Sequence, residues 1–132
     1  VKAVEKKQGT PVKKGDVVIF HTGWIDAKLK SDPVAWASGE PGQSPEVAEY
    51  LASKQVIAVG ADTWGLDVVP PKNINEPFQG HVILLKQNGI YSLENMNTGP
   101  LVKDGALEFL FVLGQAKVKG AVQMIINPIA IN

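Results

Sequence analysis

The stretch SPEVAEYLASKQVIAVGAD, residues 44–62, contains the two elements that decide the fold. Its first part predicts a helix, because Ser44 can cap a helix and Pro45 suits the first helical position. Apolar side chains then recur at helical spacing, at Val47, Tyr50 and Leu51. Residues 56–61 follow as a short run that is apolar throughout, which predicts a strand buried on both faces.

The chain on either side of this unit alternates apolar runs with turn signals. Further strands are predicted at 17–20, 90–94, 109–113 and 128–131. A short helix is predicted at 82–86, ended by Asn88-Gly89. Proline and glycine interrupt residues 26–43 and 69–78, which are therefore predicted to be long loops. Residues 1–14 fit either the tail of a helix or a loop. The sequence thus predicts a mixed α/β fold in which strands outnumber helices.

Composition bounds the class of protein. The 132 residues fit a single domain, and 45% of them are hydrophobic, which is enough to fill one core. Thirteen basic residues balance thirteen acidic ones, so nothing favours nucleic acid as a partner. There is no cysteine, so a metal would be held by imidazole and carboxylate. No apolar run is long enough for a membrane span and no export signal is present, which predicts a soluble, cytoplasmic protein.

His81 and Glu94 bracket the predicted helix and strand at 82–94. A helix of about eight residues advances ~12 Å, and a strand of about five residues returns ~16 Å. The two lengths nearly cancel, so the imidazole and the carboxylate can meet if the strand runs back along the helix. Such a pair suits zinc, manganese or iron, although a catalytic metal needs at least three ligands. From these residues alone, a solvated histidine and an ordinary surface glutamate remain the alternative.

The other polar and aromatic candidates are weaker. Trp64 and Trp24 could line a pocket for a flat aromatic substrate, although packing is the commoner role of tryptophan. His21, at the end of the first predicted strand, more often hydrogen-bonds a backbone group than binds metal. Asp62 and Asp67 flank Trp64, and Asp62 could be a turn cap or support a metal ligand. Serine-hydrolase, phosphate-loop, dinucleotide-binding and H-E-x-x-H motifs are all absent.

Four segments resemble, in this order, the C-terminal half of the cyclase family, which includes bacterial kynurenine formamidase and isatin hydrolase. They are GDVVIFHTGW (15–24), PGQSPEVAEYLASKQVIAVGADTWGLD (41–67), HVILLKQNGIYSLENM (81–96) and NPIAI (127–131). The resemblance implies a swivelling β/β/α, kynurenine formamidase-like core and a homodimer. It also implies hydrolysis of a small amide or cyclic amide by metal-activated water, as in arylformamidases of tryptophan catabolism. The family's His and Glu in this half map onto His81 and Glu94, with manganese or zinc as the metal and no organic cofactor.

One departure from the family is serious. Its principal metal motif, H-x-G-T-H-x-D-x-P-x-H, lies upstream of the first matching segment, and nothing in residues 1–15 resembles it. The opening also lacks an initiator methionine. Residues 1–132 are therefore expected to be the C-terminal portion of a single domain, completed by an N-terminal segment or a companion chain, and to be a poor hydrolase alone. The alternative is a non-catalytic binding or structural protein that retains the fold without the metal site.

Overall fold

A three-stranded parallel sheet lies at the centre of the structure, a computed structural model that describes all residues 1–132. Its strands are β1 (Val17–Phe20), β2 (Ala58–Ala61) and β3 (Tyr91–Leu93), in the order β1-β2-β3. Val18 pairs with Val59, and Gly60 pairs with Leu93. All four residues of β2 are buried. This confirms the strand predicted from the apolar run, because a central parallel strand has no polar face.

Helices cover the sheet and fill the connections. They are α1 (Lys2–Gln8), α2 (Pro33–Ser38), α3 (Pro45–Ser53), α4 (Gln79–His81) and α5 (Gly99–Lys103), with π-helices at Ile25–Leu29 and Val82–Gln87. The helix predicted to start at Ser44-Pro45 is confirmed as α3, although the Ser44 side chain makes no capping hydrogen bond. None of these helices is both long enough and apolar enough to cross a membrane.

The hydrophobic core lies between α3, β2 and the π-helix Val82–Gln87. Its buried members are Ala48, Leu51, Val56, Val59, Ala61, Leu66, Ile83, Leu84 and Ile90. Leu51 and Leu84 are fully buried, one from each helix. Burial of such a side chain contributes about 1.5–3 kcal/mol. The core therefore fixes the start of the π-helix, where His81 lies, relative to the end of β2.

The predicted loop at 26–43 is wrong in detail, because it contains most of the π-helix Ile25–Leu29 and all of α2. Asp32 caps α2 by accepting a hydrogen bond from the Ala35 N–H at 3.0 Å, and Pro33 occupies its first turn. The predicted loop at 69–78 is confirmed, since it contains no helix or strand beyond an isolated bridge at Val69. The mixed α/β class is confirmed. The expectation that strands outnumber helices is wrong, because the stretch predicted as a loop at 26–43 contains helical segments.

A separate two-stranded antiparallel ribbon is formed by β4 (Leu110–Val112) and β5 (Ile129–Ile131). Both strands were predicted from their apolar sequence, with bounds one or two residues wider. Their large side chains are not buried in the chain, since Leu110, Ile129 and Ile131 are all more than half exposed. The ribbon thus contributes nothing to the hydrophobic core.

Candidate metal centre

His81 and Glu94 meet in the structure. His81 is the last residue of α4, and Glu94 directly follows β3. The π-helix Val82–Gln87 carries the chain away from His81, and a turn at Gly89, with φ of 65°, lets it return along β3. His81 Nε2 lies 2.9 Å from Glu94 Oε1. The convergence predicted from element lengths is therefore confirmed.

Asp67 holds the opposite side of the imidazole. Its Oδ2 lies 2.5 Å from His81 Nδ1 and accepts a hydrogen bond from the His81 backbone N–H at 3.1 Å. Its Oδ1 accepts a hydrogen bond from the Gly80 N–H at 2.7 Å. Asp67 is only 5% exposed, so these contacts are shielded from water. The position and ring orientation of His81 are therefore set by a buried carboxylate.

The two carboxylates also set the charge of His81. Hydrogen bonds from its ring to Asp67, and secondarily to Glu94, raise the pKa of His81 to about 9 against an opposing effect of burial. The metal-free ring is therefore an imidazolium at neutral pH. Because the folded pKa exceeds the unfolded value, its stabilising contribution is complete below about pH 6.5 and is lost as the pH rises through about 9. A metal ion at Nε2 would have to displace the proton there.

Close packing around Asp67 depends on Gly80. A Cβ at this position would lie 2.3 Å from Asp67 Oδ1 and 2.8 Å from Gln43 Nε2, both far inside van der Waals contact. Only glycine therefore lets α4 approach the carboxylate closely enough to donate its backbone N–H groups. Phe78 packs against the His81 ring in a T-shaped contact, with the two ring centroids 5.8 Å apart.

Glu40 is a second buried carboxylate near the site, only 4% exposed. Both of its oxygens accept the Gly65 N–H, at 2.9 and 3.1 Å. Burial raises the pKa of Glu40 to about 7, although the backbone hydrogen bond from Gly65 opposes the rise. Its carboxyl group thus keeps a proton to higher pH than an ordinary glutamate does. Its contact with the Gly65 N–H fixes the loop between β2 and Asp67.

The two tryptophans predicted for a substrate pocket lie in different surroundings. Trp64 is half-buried and donates from Nε1 to the Trp36 carbonyl at 3.0 Å. Trp24 has no partner for its indole N–H, and the Lys28 ammonium lies 5.9 Å from its ring centroid. Neither indole lines the 230 Å³ cavity at the end of β1. A pocket role for Trp64 and Trp24 stays a prediction.

His21 belongs to a different polar cluster at the end of β1. Its Nδ1 lies 2.8 Å from Thr98 Oγ1 and 3.6 Å from Asp62 Oδ2. Asp62 is fully buried and accepts hydrogen bonds from the N–H and hydroxyl groups of Thr22 and from the Gly23 N–H. Asp62 therefore caps the turn after β1, one of the two roles considered for it. His21 bonds a side-chain hydroxyl where a backbone group was expected.

The candidate donor set in this chain stops at His81 and Glu94. No group of three or more His, Cys, Asp or Glu side chains is arranged to hold a metal ion. Asp67 lies against Nδ1, on the far side of the ring from Glu94, so it cannot share an ion with Nε2. What the structure adds to the predicted pair is Asp67.

The sequence feature that could have indicated Asp67 is its position in the loop after β2, because the carboxyl ends of parallel strands are common positions for site residues.

Comparison with known proteins assigns the class. A family model described as putative cyclase matches residues 1–68, just over half of the chain. The chain therefore belongs to the cyclase family, as its sequence segments predicted. The isatin hydrolase of Roseibium aggregatum is 30% identical over 108 residues, which cover 76% of this chain and 40% of that protein.

Two solved structures are similar to this fold. The first is a novel cyclase, with a TM-score of 0.82 and 27% identity over 99% of this chain and 44% of its own. The second is an isatin hydrolase bound to the product analogue thioisatinate, with a TM-score of 0.79 and 23% identity over 98% of this chain and 49% of its own. The chain thus spans less than half the length of each of these relatives.

Proposed function

We propose that this chain supplies His81 and Glu94 as two metal ligands of a hydrolase that acts on a small amide or cyclic amide. The observation that carries the proposal is that the His81 ring lies between two carboxylates, with Asp67 at Nδ1 and Glu94 at Nε2. Histidines that bind metals almost always donate the other ring N–H to a carboxylate or carbonyl. Asp67 occupies that position on Nδ1 and leaves Nε2 beside the Glu94 carboxylate. This donor set fits zinc or manganese.

The remaining ligands come, in this proposal, from an N-terminal segment or a companion chain. Two protein ligands are too few for a stable catalytic site, which normally has three or more. Support comes from the relatives, which are more than twice as long as the region they share with this chain. We call the assembly of this chain with that segment the completed protein, and we expect it to be a homodimer.

A divalent ion bound at this site supplies a Lewis acid for the substrate carbonyl and lowers the pKa of a water nucleophile. The chain's own residues position the donors. Asp67 keeps a proton on His81 Nδ1, which would leave the Nε2 lone pair free to bind such an ion. The backbone N–H groups of Gly80 and His81 hold the Asp67 carboxylate in place. Because Glu94 and His81 remain partly exposed, a substrate can reach them.

The alternative is a non-catalytic protein that retains the fold. One observation favours it: both ring nitrogens of His81 already have carboxylate partners within the chain. In that case the imidazolium and the two carboxylates form a structural ion-pair network, which raises the pKa of His81. Such a network stabilises the fold near pH 7 without binding a metal.

The test is hydrolysis by the completed protein, with N-formylkynurenine and isatin as substrates. His81→Ala and Glu94→Ala are each expected to lower kcat/KM by about a thousandfold or more, since each removes a metal ligand and metal content should fall in parallel. Glu49→Ala, an exposed change on α3, is the matched control and should leave both quantities unchanged. Unaltered metal content and activity in both ligand variants would support the non-catalytic alternative.

A further inference from the structure

A cleft of about 510 Å³ lies between the segment that follows β3 and the ribbon of β4 and β5. We call it the ribbon cleft. Residues 94–98 line one side of it, and Phe111 and Ala130 of the ribbon line the other. Its volume falls within the roughly 300–1,000 Å³ of pockets that bind drug-sized molecules. The ribbon cleft is therefore large enough for a small molecule with a fused bicyclic ring.

Glu94 is part of the wall of the ribbon cleft. Its Oε1 lies 2.9 Å from His81 Nε2, and its side chain is 21% exposed. The smaller cavity at the end of β1 has none of Asp67, His81 and Glu94 in its wall. A molecule in the ribbon cleft therefore lies against a proposed metal ligand, whereas a molecule in the smaller cavity does not.

The wall next to Glu94 is held in place by the end of β2. Asn95 lines the cleft with a φ of 53°, a left-handed conformation that asparagine adopts more readily than most residues. Its N–H donates to the Thr63 carbonyl at 2.8 Å. The N–H of Met96 donates to the Ala61 carbonyl at 2.9 Å. This side of the cleft is therefore preformed, as is usual for sites that bind small molecules.

The wall formed by the ribbon is apolar. Phe111 and Ala130 pair across the ribbon, and both line the cleft. Leu110 and Val112 are exposed and do not line it, since successive side chains of a strand point to opposite faces. Phe109 also lines the cleft. An aromatic wall with a few polar groups nearby is typical of a site that holds a flat ring and orients its polar edge.

We propose that Phe109 and Phe111 bind the apolar ring of the substrate while its amide lies at Glu94, so that the ribbon determines which amides the site accepts. This inference rests on the proposed function and adds the residues that select the substrate. Burial of apolar ring surface favours an amide fused to an aromatic ring over the same amide without it. Neither Trp64 nor Trp24, the residues predicted for a substrate pocket, lines the ribbon cleft.

The experiment follows the amide NMR signals of the metal-free, ¹⁵N-labelled 132-residue chain during titration with two lactams. 2-Oxindole carries a fused benzene ring, and 2-pyrrolidinone is the same lactam ring without it. 2-Oxindole should shift the signals of residues 94–97, 109–111 and 129–130. It should bind at least about tenfold more tightly, because only its benzene ring buries apolar surface against the phenylalanines. Equal affinities, shifts confined to other residues, or no shifts overturn the proposal.

Variants of the ribbon test the role of its cleft-facing side chains. Phe111→Ala should weaken 2-oxindole binding by about tenfold and leave 2-pyrrolidinone binding unchanged. Ala130→Leu places a larger side chain in the cleft without removing an aromatic ring, and it should also weaken 2-oxindole binding. Leu110→Ala, on the opposite face of β4, is the matched control and should preserve the affinity. Unchanged affinity in both cleft variants, or an equal loss in the control, overturns the proposal.

The same spectra separate recognition from a structural role. Because the ribbon contributes nothing to the hydrophobic core, the signals of β1, β2 and β3 should be alike in all variants. Weaker binding accompanied by altered signals in these strands, in both cleft variants, would mean that the two residues support the fold, which overturns the proposal. Binding without metal is independent of hydrolysis. Binding in the cleft without hydrolysis by the completed protein contradicts only the proposed function, and hydrolysis without binding in the cleft contradicts only the role of the ribbon.

Discussion

Gly42→Ala is expected to lower the free energy of unfolding by about 3 kcal/mol, a large part of the ~5–15 kcal/mol that stabilises a typical domain. A Cβ at Gly42 would lie 2.3 Å from the Asp67 carbonyl carbon, 2.4 Å from Val68 N and 2.5 Å from Asp67 O. All three are backbone atoms, so no side-chain rotation relieves the overlap. The 40–43 segment must move away from the 67–69 segment, which breaks the bridges of Glu40 with Val69 and of Gln43 with Asp67.

Urea denaturation of Gly42→Ala and of the unaltered protein measures this loss of stability. Gly114→Ala is the control, because a Cβ there meets no atom within 4 Å and the residue has no positive φ. Its effect should stay within about 0.5 kcal/mol. A loss below about 1 kcal/mol for Gly42→Ala would contradict the close packing of these two segments and, with it, the placement of Asp67.

Asp67→Asn is expected to weaken zinc binding to the completed protein by about 10- to 100-fold with little change in shape. The amide carries no charge and presents a single oxygen, so it cannot accept from Gly80, the His81 backbone and His81 Nδ1 as the carboxylate does. The pKa of His81 should also fall from about 9 toward its usual range, since the hydrogen bond to Asp67 is the largest cause of the rise.

Two readouts test the Asp67 variant. Calorimetry with zinc gives the affinity of the completed protein, and ring NMR signals followed against pH give the pKa of His81 in the metal-free chain. Asp104→Asn removes an exposed carboxylate from α5's C-terminal end and should change neither quantity. If zinc affinity were the same in Asp67→Asn and in the unaltered protein, Asp67 would have no part in positioning the ligand.

The elements of the core could be predicted because their sequence patterns are local. The apolar run at 56–61 became β2, and the Ser44-Pro45 start became α3, whose apolar face packs in the core. Helix α2 was missed even though Asp32-Pro33 is a start signal of the same kind. It buries no residue, so it has no apolar face for a periodicity to reveal.

The site could be predicted only in part, for a different reason. His81 and Glu94 lie at the two ends of one local unit, so element lengths alone brought them together. The sequence analysis gave two possible roles to Asp62 and none to Asp67. The structure gives the two residues different contacts. Asp62 accepts hydrogen bonds from the turn after β1, whereas the segments that contain Gly42 and Gly80 pack directly against Asp67. These are contacts between distant segments, which no local pattern encodes.

In the proposed metal site, His81 Nε2 and Glu94 bind the metal while Asp67 retains the Nδ1 proton. Its most direct test is a zinc titration of the completed protein in which only this chain carries ¹⁵N, so that two histidines contribute ring signals. We expect the His81 Nε2 signal to move to its metal-bound position, Nδ1 to stay protonated, and the His21 signals to keep their protonation pattern. A His81 ring with both nitrogens still protonated at saturating zinc would contradict it.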